Sequence, residues 1–476
     1  MESPLEAQQP PAYGAHQADM TETTEEQPTL NGLAKKIQKL TQNLTESLEK
    51  NGVAPCTFAV NSPATYSTDS PEIFMMRQTL IENLQDMIYL VQGPNESIFN
   101  YAHSVIPDAA CLNILNYFNF WDAVPLDGSA SYTEISKHVN LPQDVVERIL
   151  KHATSLRIFS ETEPGKRTTR IQHSFRSAPL ARSKGLQGLV ATTLDVAGAP
   201  MMAMPQALEK YSSGKPELTG DINETAFALL HHDDAYGKFA NTWDMLEHDG
   251  AGSKKGWRQR QFTDFMEYIK EIFSLEDVVS DSFDWGSLGS ATVVDIAGSA
   301  GVDAFHLATK FPALRITVQD LPQVAPVFQK NHAALEEDLR SRVSFVEHDM
   351  FDPQPISADV YLIKQILHDW PDAEAVKLLR ALIPALRPGA RVILVEYIGS
   401  KEDGEGGEEE EEEVPRILRG MGSATDLRIM ALFNTKERPV SAWRRIFTEA
   451  DERFEVKDVK AEKTAFYAVV EAVWRG

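Results

Sequence analysis

The chain has 476 residues, 42% of them hydrophobic and 9% aromatic, which is enough apolar material for two or three folded domains. Its formal charge of −24 disfavours nucleic acid as a partner, because phosphate binding requires clustered lysine and arginine. It has no apolar stretch long enough to cross a membrane and no signal-peptide pattern, and its two cysteines, Cys56 and Cys111, are too few for a disulfide framework or a metal site. These features predict a cytoplasmic globular protein.

The N-terminal part is expected to be disordered and then helical. Residues 1–30 are rich in Pro, Gln, Thr and Glu, which is typical of a disordered arm. Residues 31–180 begin with apolar residues at helical spacing, and two further helical segments cover 71–92 and 97–124. Together these segments carry more apolar surface than one small domain buries. We therefore expect a second copy of the chain to cover part of it, as in a homodimer.

A helix-turn-helix unit with a two-stranded wing is predicted at residues 131–180. Its turn is Leu141–Asp144, and the segment after Phe159 alternates as paired strands do. Winged helices often bind DNA, but the second helix offers few basic side chains within an acidic chain. A role in dimerisation and in covering a substrate fits the composition better than DNA binding does.

Helical segments continue through a connecting region, residues 181–288, and strands and helices then alternate from 289 to 476. Five apolar strands are predicted, two further strand segments close the chain, and this order implies an α/β fold with a doubly wound parallel sheet. An acidic loop interrupts this part at residues 402–415, because 402–413 hold nine acids and no base. The five strands are Thr292–Ile296, Arg315–Gln319, Val343–His348, Val360–Lys364 and Arg391–Tyr397.

The turn after the first of these strands, AGSAG at residues 297–301, is built of small residues. In an open parallel sheet such a turn lets backbone amides and a helix N-terminus approach a ligand. The turn lacks the G-x-G-x-x-G fingerprint of nicotinamide-binding proteins. Asp320 ends the next strand, where a carboxylate can accept from both hydroxyls of a ribose. A purely structural role, in which the turn packs a helix against a strand, is the alternative.

Two later strand ends carry further candidate residues. The third strand runs into HDMF, which supplies Asp349 for an adenine amino group and an apolar side chain, Met350, for its ring face. The fourth runs into KQILHDWPD, where His368 is a candidate general base, because an unperturbed imidazole titrates near neutral pH. From the residues alone, His368 could equally be a loop histidine beside a helix start that Asp369 caps.

The order and spacing of these motifs resemble a known family. The chain resembles the S-adenosylmethionine (SAM) dependent O-methyltransferases of plant and fungal small-molecule metabolism, the caffeate O-methyltransferase-like family. The motifs that carry the resemblance are VVDIAGSAG, VQDLPQV, HDMF, IKQILHDWPD, RVILVEYI and NTKERPVSAWRRIF. The resemblance covers residues 75–476 and is closest to fungal enzymes of secondary metabolism. It implies a C-terminal Rossmann-like SAM-methyltransferase sheet, an N-terminal mainly helical winged-helix dimerisation domain, and methyl transfer to a phenolic hydroxyl of an aromatic small molecule.

The resemblance also assigns roles to residues of this chain. It makes His368 the general base and Glu396 and Glu437 the acids that hold its imidazole, with no metal. Glu437 is the weaker match, because the loop before it is short. The resemblance assigns contacts with the cofactor to Ala297, Gly298, Asp320, Asp349, Met350 and Lys364. It assigns contacts with the methyl acceptor to Met266, Asp369, Met430 and Asn434.

Several alternatives stay open at this point. Ala297 and Ser299 occupy positions where the family has glycine, and they fit if their φ angles are negative. Lys364 could simply extend to solvent from a strand end. Met266, with Phe262 and Trp243, could belong to ordinary helical core. A relative that binds SAM but catalyses a dehydration or pericyclic step, or a catalytically silent regulator, would share the same motifs.

Overall fold

The computed structural model describes residues 28–66, 70–232, 236–272, 277–397, 415–461 and 467–476. The predicted disordered arm therefore lies almost wholly outside the described residues, and the predicted acidic loop does so except for its last residue. None of the helices in the described ranges is both long and apolar enough to span a bilayer.

The first part of the chain is helical and contains one small hairpin. Its longest helix is bent at Gly93, which has a φ of 72° and is followed by Pro94. The first predicted helical segment and most of the second therefore form one kinked element, which ends at Tyr117. A helix, a turn, a second helix and an antiparallel two-stranded hairpin follow in the predicted order. The elements are α1 Leu30–Lys50, α2 Pro71–Tyr117, α3 Phe120–Ala123, α4 Tyr132–Val139, α5 Gln143–Ser155, β1 Phe159–Glu161, β2 Ile171–His173, α6 Ser177–Arg182 and α7 Lys184–Val190.

A second helical group connects this part to the sheet. After one π-helical turn, Ala191–Val196, five helices lead to the first strand of the large sheet. They are α8 Gly198–Tyr211, α9 Ala226–Leu230, α10 Thr242–His248, α11 Trp257–Ile272 and α12 Val278–Ser282. Apolar side chains of α9, α10 and α11 pack against a later helix, α17 (Arg416–Phe433), which places this group beside the sheet.

The C-terminal part is a seven-stranded sheet with helices between its strands. The strand order is β5-β4-β3-β6-β7-β9-β8, and the first five strands are parallel while β9 runs antiparallel to both of its neighbours. The elements are β3 Thr292–Ile296, α13 Val302–Lys310, β4 Arg315–Asp320, α14 Ala325–Ala333, α15 Glu337–Arg342, β5 Val343–Glu347, β6 Val360–Lys364, α16 Asp372–Leu382, β7 Arg391–Tyr397, α17 Arg416–Phe433, α18 Val440–Ala450, β8 Phe454–Ala461 and β9 Tyr467–Trp474.

Two apolar layers enclose this sheet. One lies between the strands and helices α16 and α18, and the other between the strands and helices α12 and α13. Because the central strands are buried on both faces, they read in the sequence as continuous apolar runs, and the predicted parallel α/β sheet is confirmed. The parallel strands direct their carboxyl ends to one edge of the sheet, where ligands bind in folds of this kind.

Candidate active site

The turn between β3 and α13 has an unusual backbone. Ala297, Ser299 and Gly301 have φ angles of 53°, 50° and 80°, in the left-handed region that favours glycine. The condition under which Ala297 and Ser299 would fit this turn without strain, a negative φ, is therefore not met. The turn returns the chain from β3 into the first turn of α13 within a few residues, and each non-glycine residue in this conformation costs about 1–2 kcal/mol. The geometry explains why glycine suits these positions.

Gly298 lies in the same turn for a different reason. A Cβ at this position would be 2.3 Å from Oδ2 of Asp295, so only glycine fits against that carboxyl group. Asp295 is buried near the end of β3, and its Oδ2 has no hydrogen-bond partner among the described residues. Burial, with a smaller contribution from Asp303, raises the pKa of Asp295 to about 8. The turn therefore lies against a carboxyl group that is mostly neutral at physiological pH.

Asp320, at the end of β4, is tied to this turn. Its Oδ2 accepts a hydrogen bond from the backbone N–H of Ser299 at 2.9 Å, and its Oδ1 accepts one from Leu321 at 2.7 Å. Burial raises the pKa of Asp320, although both backbone donors oppose that effect. The two bonds fix the carboxylate at the rim of the turn with lone pairs left to accept from a ligand hydroxyl.

Asp349 and Met350 follow β5, the neighbour of β4, and so lie at the same edge of the sheet. Asp349 Oδ1 accepts from the backbone N–H of Phe351 at 3.0 Å, while Met350 is half-buried against the apolar layer under β6 and β7. The backbone N–H of His348 donates to Asp320 O at 3.0 Å, which joins this loop to the preceding one. The structure therefore brings the candidate ribose and adenine residues together.

Lys364, at the end of β6, does not extend to solvent. Its Nζ lies 2.9 Å from both carboxylate oxygens of Asp303 on α13, and only 6% of its side chain is exposed. Lys270 lies 3.6 Å from the same carboxylate. Burial lowers the pKa of Lys364, and Asp303 opposes this effect. Asp303 was not predicted, although an acid in the first turn of the helix after the glycine turn is a visible signal.

His368 lies in a short 3-10 turn, Leu367–Asp369, directly after β6. It is buried, with Nδ1 3.2 Å from Glu437 Oε1 and Nε2 3.6 Å from Asp369 Oδ1. Pro371 occupies the N-cap position of α16, so the alternative in which Asp369 caps that helix is wrong. Burial lowers the pKa of His368, but Asp369, Glu437 and Glu396 outweigh it and raise this pKa to about 10.

Glu396 does not hold the imidazole, which corrects the expected arrangement. Its Oε1 accepts from the backbone N–H groups of Ile366 and Leu367, at 3.0 and 2.7 Å, and so holds the turn that carries His368. Its Oε2 has no hydrogen-bond partner among the described residues. Burial raises the pKa of Glu396 to about 7, with the charge of His368 opposing the shift. Glu437, the weaker sequence match, is the acid in contact with the ring.

Arg438 connects the turn that carries His368 to the segment that carries Glu437. Its fully buried guanidinium donates to the carbonyl oxygens of Leu367 at 2.7 Å and Trp370 at 2.5 Å, and its Nε lies 2.7 Å from Asp372 Oδ1. Because Arg438 adjoins Glu437, the same contacts hold the carboxylate beside the imidazole. Arg438 was not predicted, because its only signal in the sequence was a charge next to Glu437 in the motif TKERP.

The acceptor-side residues have mixed surroundings. Asn434 ends α17 with a φ of 52°, and its side-chain amide donates to Asp221 O at 2.8 Å, while Met430 precedes it by one helical turn and is half-buried. Asp369 is beside His368, and Met266 is half-buried on α11. Trp243 and Phe262 pack with Phe433 in a helical core cluster, so the ordinary core explanation holds for those two.

Comparisons with known proteins agree with this geometry. Residues 236–452 match the O-methyltransferase domain family. O-methyltransferase lcsG of Purpureocillium lilacinum is 40% identical, with 93% of this chain and 94% of that protein covered. Chlorophenol O-methyltransferase of Trichoderma longibrachiatum is 30% identical, with 93% and 89% covered. The crystal structure of OxaC has the same fold, with a TM-score of 0.67, 19% identity, and 93% and 100% covered. The chain therefore belongs to the SAM-dependent O-methyltransferase family, among its fungal secondary-metabolite members.

Proposed function

We propose that this protein transfers the methyl group of SAM to a phenolic hydroxyl of an aromatic small molecule, with His368 as general base. The observation that carries the proposal is the environment of the imidazole at the ligand edge of the sheet. Nδ1 faces Glu437 at 3.2 Å, whereas Nε2 is 3.6 Å from Asp369, beyond hydrogen-bond distance. Nε2 is therefore the nitrogen available to a phenol.

The residues at the ends of β3, β4 and β5 fit the chemistry of SAM. The carboxylate of Asp320, fixed by two backbone donors, would accept from the ribose hydroxyls. Asp349 would accept from the adenine amino group, and Met350 would lie against the ring. Ala297 and Gly298 would bring the backbone close to the ligand, and the buried ion pair of Lys364 would position the end of β6. When bound, SAM supplies an electrophilic methyl group on a positively charged sulfur.

His368 takes up the proton that the phenol loses. The proton moves from the phenolic oxygen to Nε2, and the resulting imidazolium faces the carboxylates of Asp369, Glu437 and Glu396. Those acids stabilise the charged ring, so they make the neutral imidazole a strong base. Glu437 also selects the tautomer with hydrogen on Nδ1, which leaves the lone pair on Nε2. A phenol titrates near ~10, close to the pKa of about 10 for His368, so the transfer is nearly balanced.

The proposed acceptor is a phenol of the fungal polyketide or related secondary-metabolite type. Support comes from the fungal relatives, one of which is named as a chlorophenol O-methyltransferase. Asp369, Met430, Asn434 and Met266 would contact this acceptor. We propose that the chain is divided into a winged-helix domain, residues 31–180, a connecting region, residues 181–288, and a SAM-binding domain, residues 289–476.

A homodimer in the cytoplasm is the proposed working form. Helix α2 exposes large apolar side chains just after its kink, with Ile98, Phe99 and Tyr101 being 69%, 65% and 69% exposed. A second copy of the chain would remove this surface from water. Light scattering on the purified protein should give the mass of two chains, and the variant Ile98→Glu should give the mass of one. A single-chain mass for the unaltered protein would contradict the proposal.

Methyl transfer is tested with labelled SAM and a panel of phenols, and the products are identified by mass. We expect S-adenosylhomocysteine and methylated phenol to form in equal amounts. A product that forms without S-adenosylhomocysteine would instead indicate a SAM-binding enzyme of the dehydratase or pericyclase type. Failure to bind SAM in a calorimetric titration would indicate a catalytically silent regulator.

A further inference from the structure

Arg428, on α17, is a charged residue for which the proposed methyl transfer has no use. It is half-buried and lies within electrostatic reach of Tyr397, Glu437 and Asp369, which belong to three different elements around the base. Burial lowers the pKa of Arg428, and these three groups oppose the shift. Helix α17 contacts the turn that carries His368, and Asp426, two residues before Arg428, accepts a hydrogen bond from the backbone N–H of Glu437 at 2.8 Å, so this part of α17 lies next to the base.

The guanidinium of Arg428 has no hydrogen bond or ion pair among the described residues. Three other shielded arginines among the described residues are paired. The fully buried Arg438 makes four hydrogen bonds, the side chain of Arg258 is 16% exposed and binds Asp195, and that of Arg342 is 11% exposed and binds Asp338. A shielded cation without a partner is costly, so a group that arrives later is expected to complete its contacts.

We propose that Arg428 binds a carboxylate on the acceptor, so that the preferred substrate is an aromatic hydroxy acid. This inference rests on the proposed methyl transfer to a phenol. The phenolic oxygen would lie at Nε2 of His368, and the acid group of the same molecule would lie at Arg428. The planar guanidinium offers two parallel N–H donors, which match the two oxygens of a carboxylate.

The acids around His368 make such a cation necessary for an anionic acceptor. Asp369, Glu396 and Glu437 all raise the pKa of His368, and each would repel a carboxylate that entered the pocket. The positive charge of Arg428 offsets this repulsion. Simple charge balance is a weaker explanation of Arg428, because an arginine that served these acids alone would pair with one of them directly, as Arg438 pairs with Asp372.

The test compares an acid with its neutral ester. The probes are 2,4-dihydroxybenzoate and methyl 2,4-dihydroxybenzoate, titrated near neutral pH into the full-length protein saturated with S-adenosylhomocysteine. We expect the unaltered protein to bind the acid about 10- to 100-fold more tightly than the ester, the range for a charge-assisted pair. Arg428→Gln should abolish this preference, and Arg428→Lys should keep part of it. Arg419→Gln, an exposed position on the same helix, is the control and should keep all of it.

Two results would overturn the inference. One is equal affinity of the unaltered protein for acid and ester. The other is the same ratio of acid affinity to ester affinity in Arg428→Gln as in the unaltered protein, which includes an equal loss of affinity for both probes, the pattern that charge balance predicts. Formation of S-adenosylhomocysteine with each probe is measured in parallel. An acid preference that depends on Arg428 but accompanies no methyl transfer would refute the proposed function and leave the carboxylate site standing.

Discussion

The contact between His368 and Glu437 predicts a specific change in the pH dependence of catalysis. The perturbation is Glu437→Gln, which keeps the size of the side chain and removes its charge. Hydrogen bonds to charged groups contribute about 1.5–3 kcal/mol, and one pKa unit corresponds to about 1.36 kcal/mol. The distance of 3.2 Å between Nδ1 and Oε1 places the pair in this class. Loss of the charge should therefore lower the pKa of His368 by about 1 to 2 pH units.

The direction of the effect follows from the role of the base. The imidazole must be neutral to accept a proton, so kcat/KM should rise with pH through a pKa of about 10 in the unaltered protein. In Glu437→Gln the same rise should occur about 1 to 2 pH units lower. Its plateau should be lower by about 10- to 100-fold, because the imidazolium that forms in the reaction loses the same 1.5–3 kcal/mol.

The assay is kcat/KM for methyl transfer to one phenol, measured across pH with saturating SAM. Glu449→Gln is the matched control, because this glutamate is exposed on α18 and faces Arg445 rather than the imidazole. Its profile should superimpose on that of the unaltered protein. If the Glu437→Gln profile also superimposes, Glu437 does not act on the charge of His368 and the proposed proton path is wrong.

Three further predictions concern the base, the turn and the buried lysine. His368→Ala should abolish methyl transfer while SAM binding, measured by calorimetry, changes little; near-normal turnover would exclude His368 as the base. Ala297→Gly should raise the unfolding free energy in urea by about 0.5–1 kcal/mol because it relieves a left-handed φ, whereas Ala300→Gly, where φ is not positive, should lower it by a similar amount. Destabilisation by both would refute the strain argument. Asp303→Asn should cost about 3 kcal/mol in the same assay, because it leaves Lys364 buried without its partner, and a loss below about 1 kcal/mol would contradict the buried pair.

The sheet was predictable because burial imprints a simple pattern on the sequence. The strands Thr292–Ile296, Val360–Lys364 and Arg391–Tyr397 have the predicted limits, since each is a continuous apolar run bounded by polar or turn residues. The kink of α2 was marked by the adjacent glycine and proline. The parallel sheet and the position of its ligand edge follow from the alternation of strands and helices, whereas the order of the strands was not predicted.

The site was less predictable because its chemistry depends on side-chain direction. The motifs indicated that Glu396 and Glu437 lie near His368, but they could not show that Glu396 is directed to the backbone N–H groups of the turn and only Glu437 to the ring. The backbone path at Ala297 was left open by the sequence, because the tightness of the turn is fixed by where β3 ends and α13 begins. Arg428 had no periodic or motif signal, since α17 carries other charged residues, Arg416, Arg419 and Asp426, as well.

Arg438 has a consequence for how enzymes of this kind can diverge. The base and its carboxylate come from positions 69 residues apart, and the acidic run lies between them in the sequence. The position of the imidazole relative to the carboxylate is nevertheless fixed by local contacts. Arg438, the residue next to Glu437, donates hydrogen bonds to the carbonyl oxygens of Leu367 and Trp370, on either side of His368. The acidic run between them could therefore lengthen, shorten or change composition over evolution, provided that β7 before it and α17 after it keep their places. An engineer could use the same freedom to insert a tag or a reporter there.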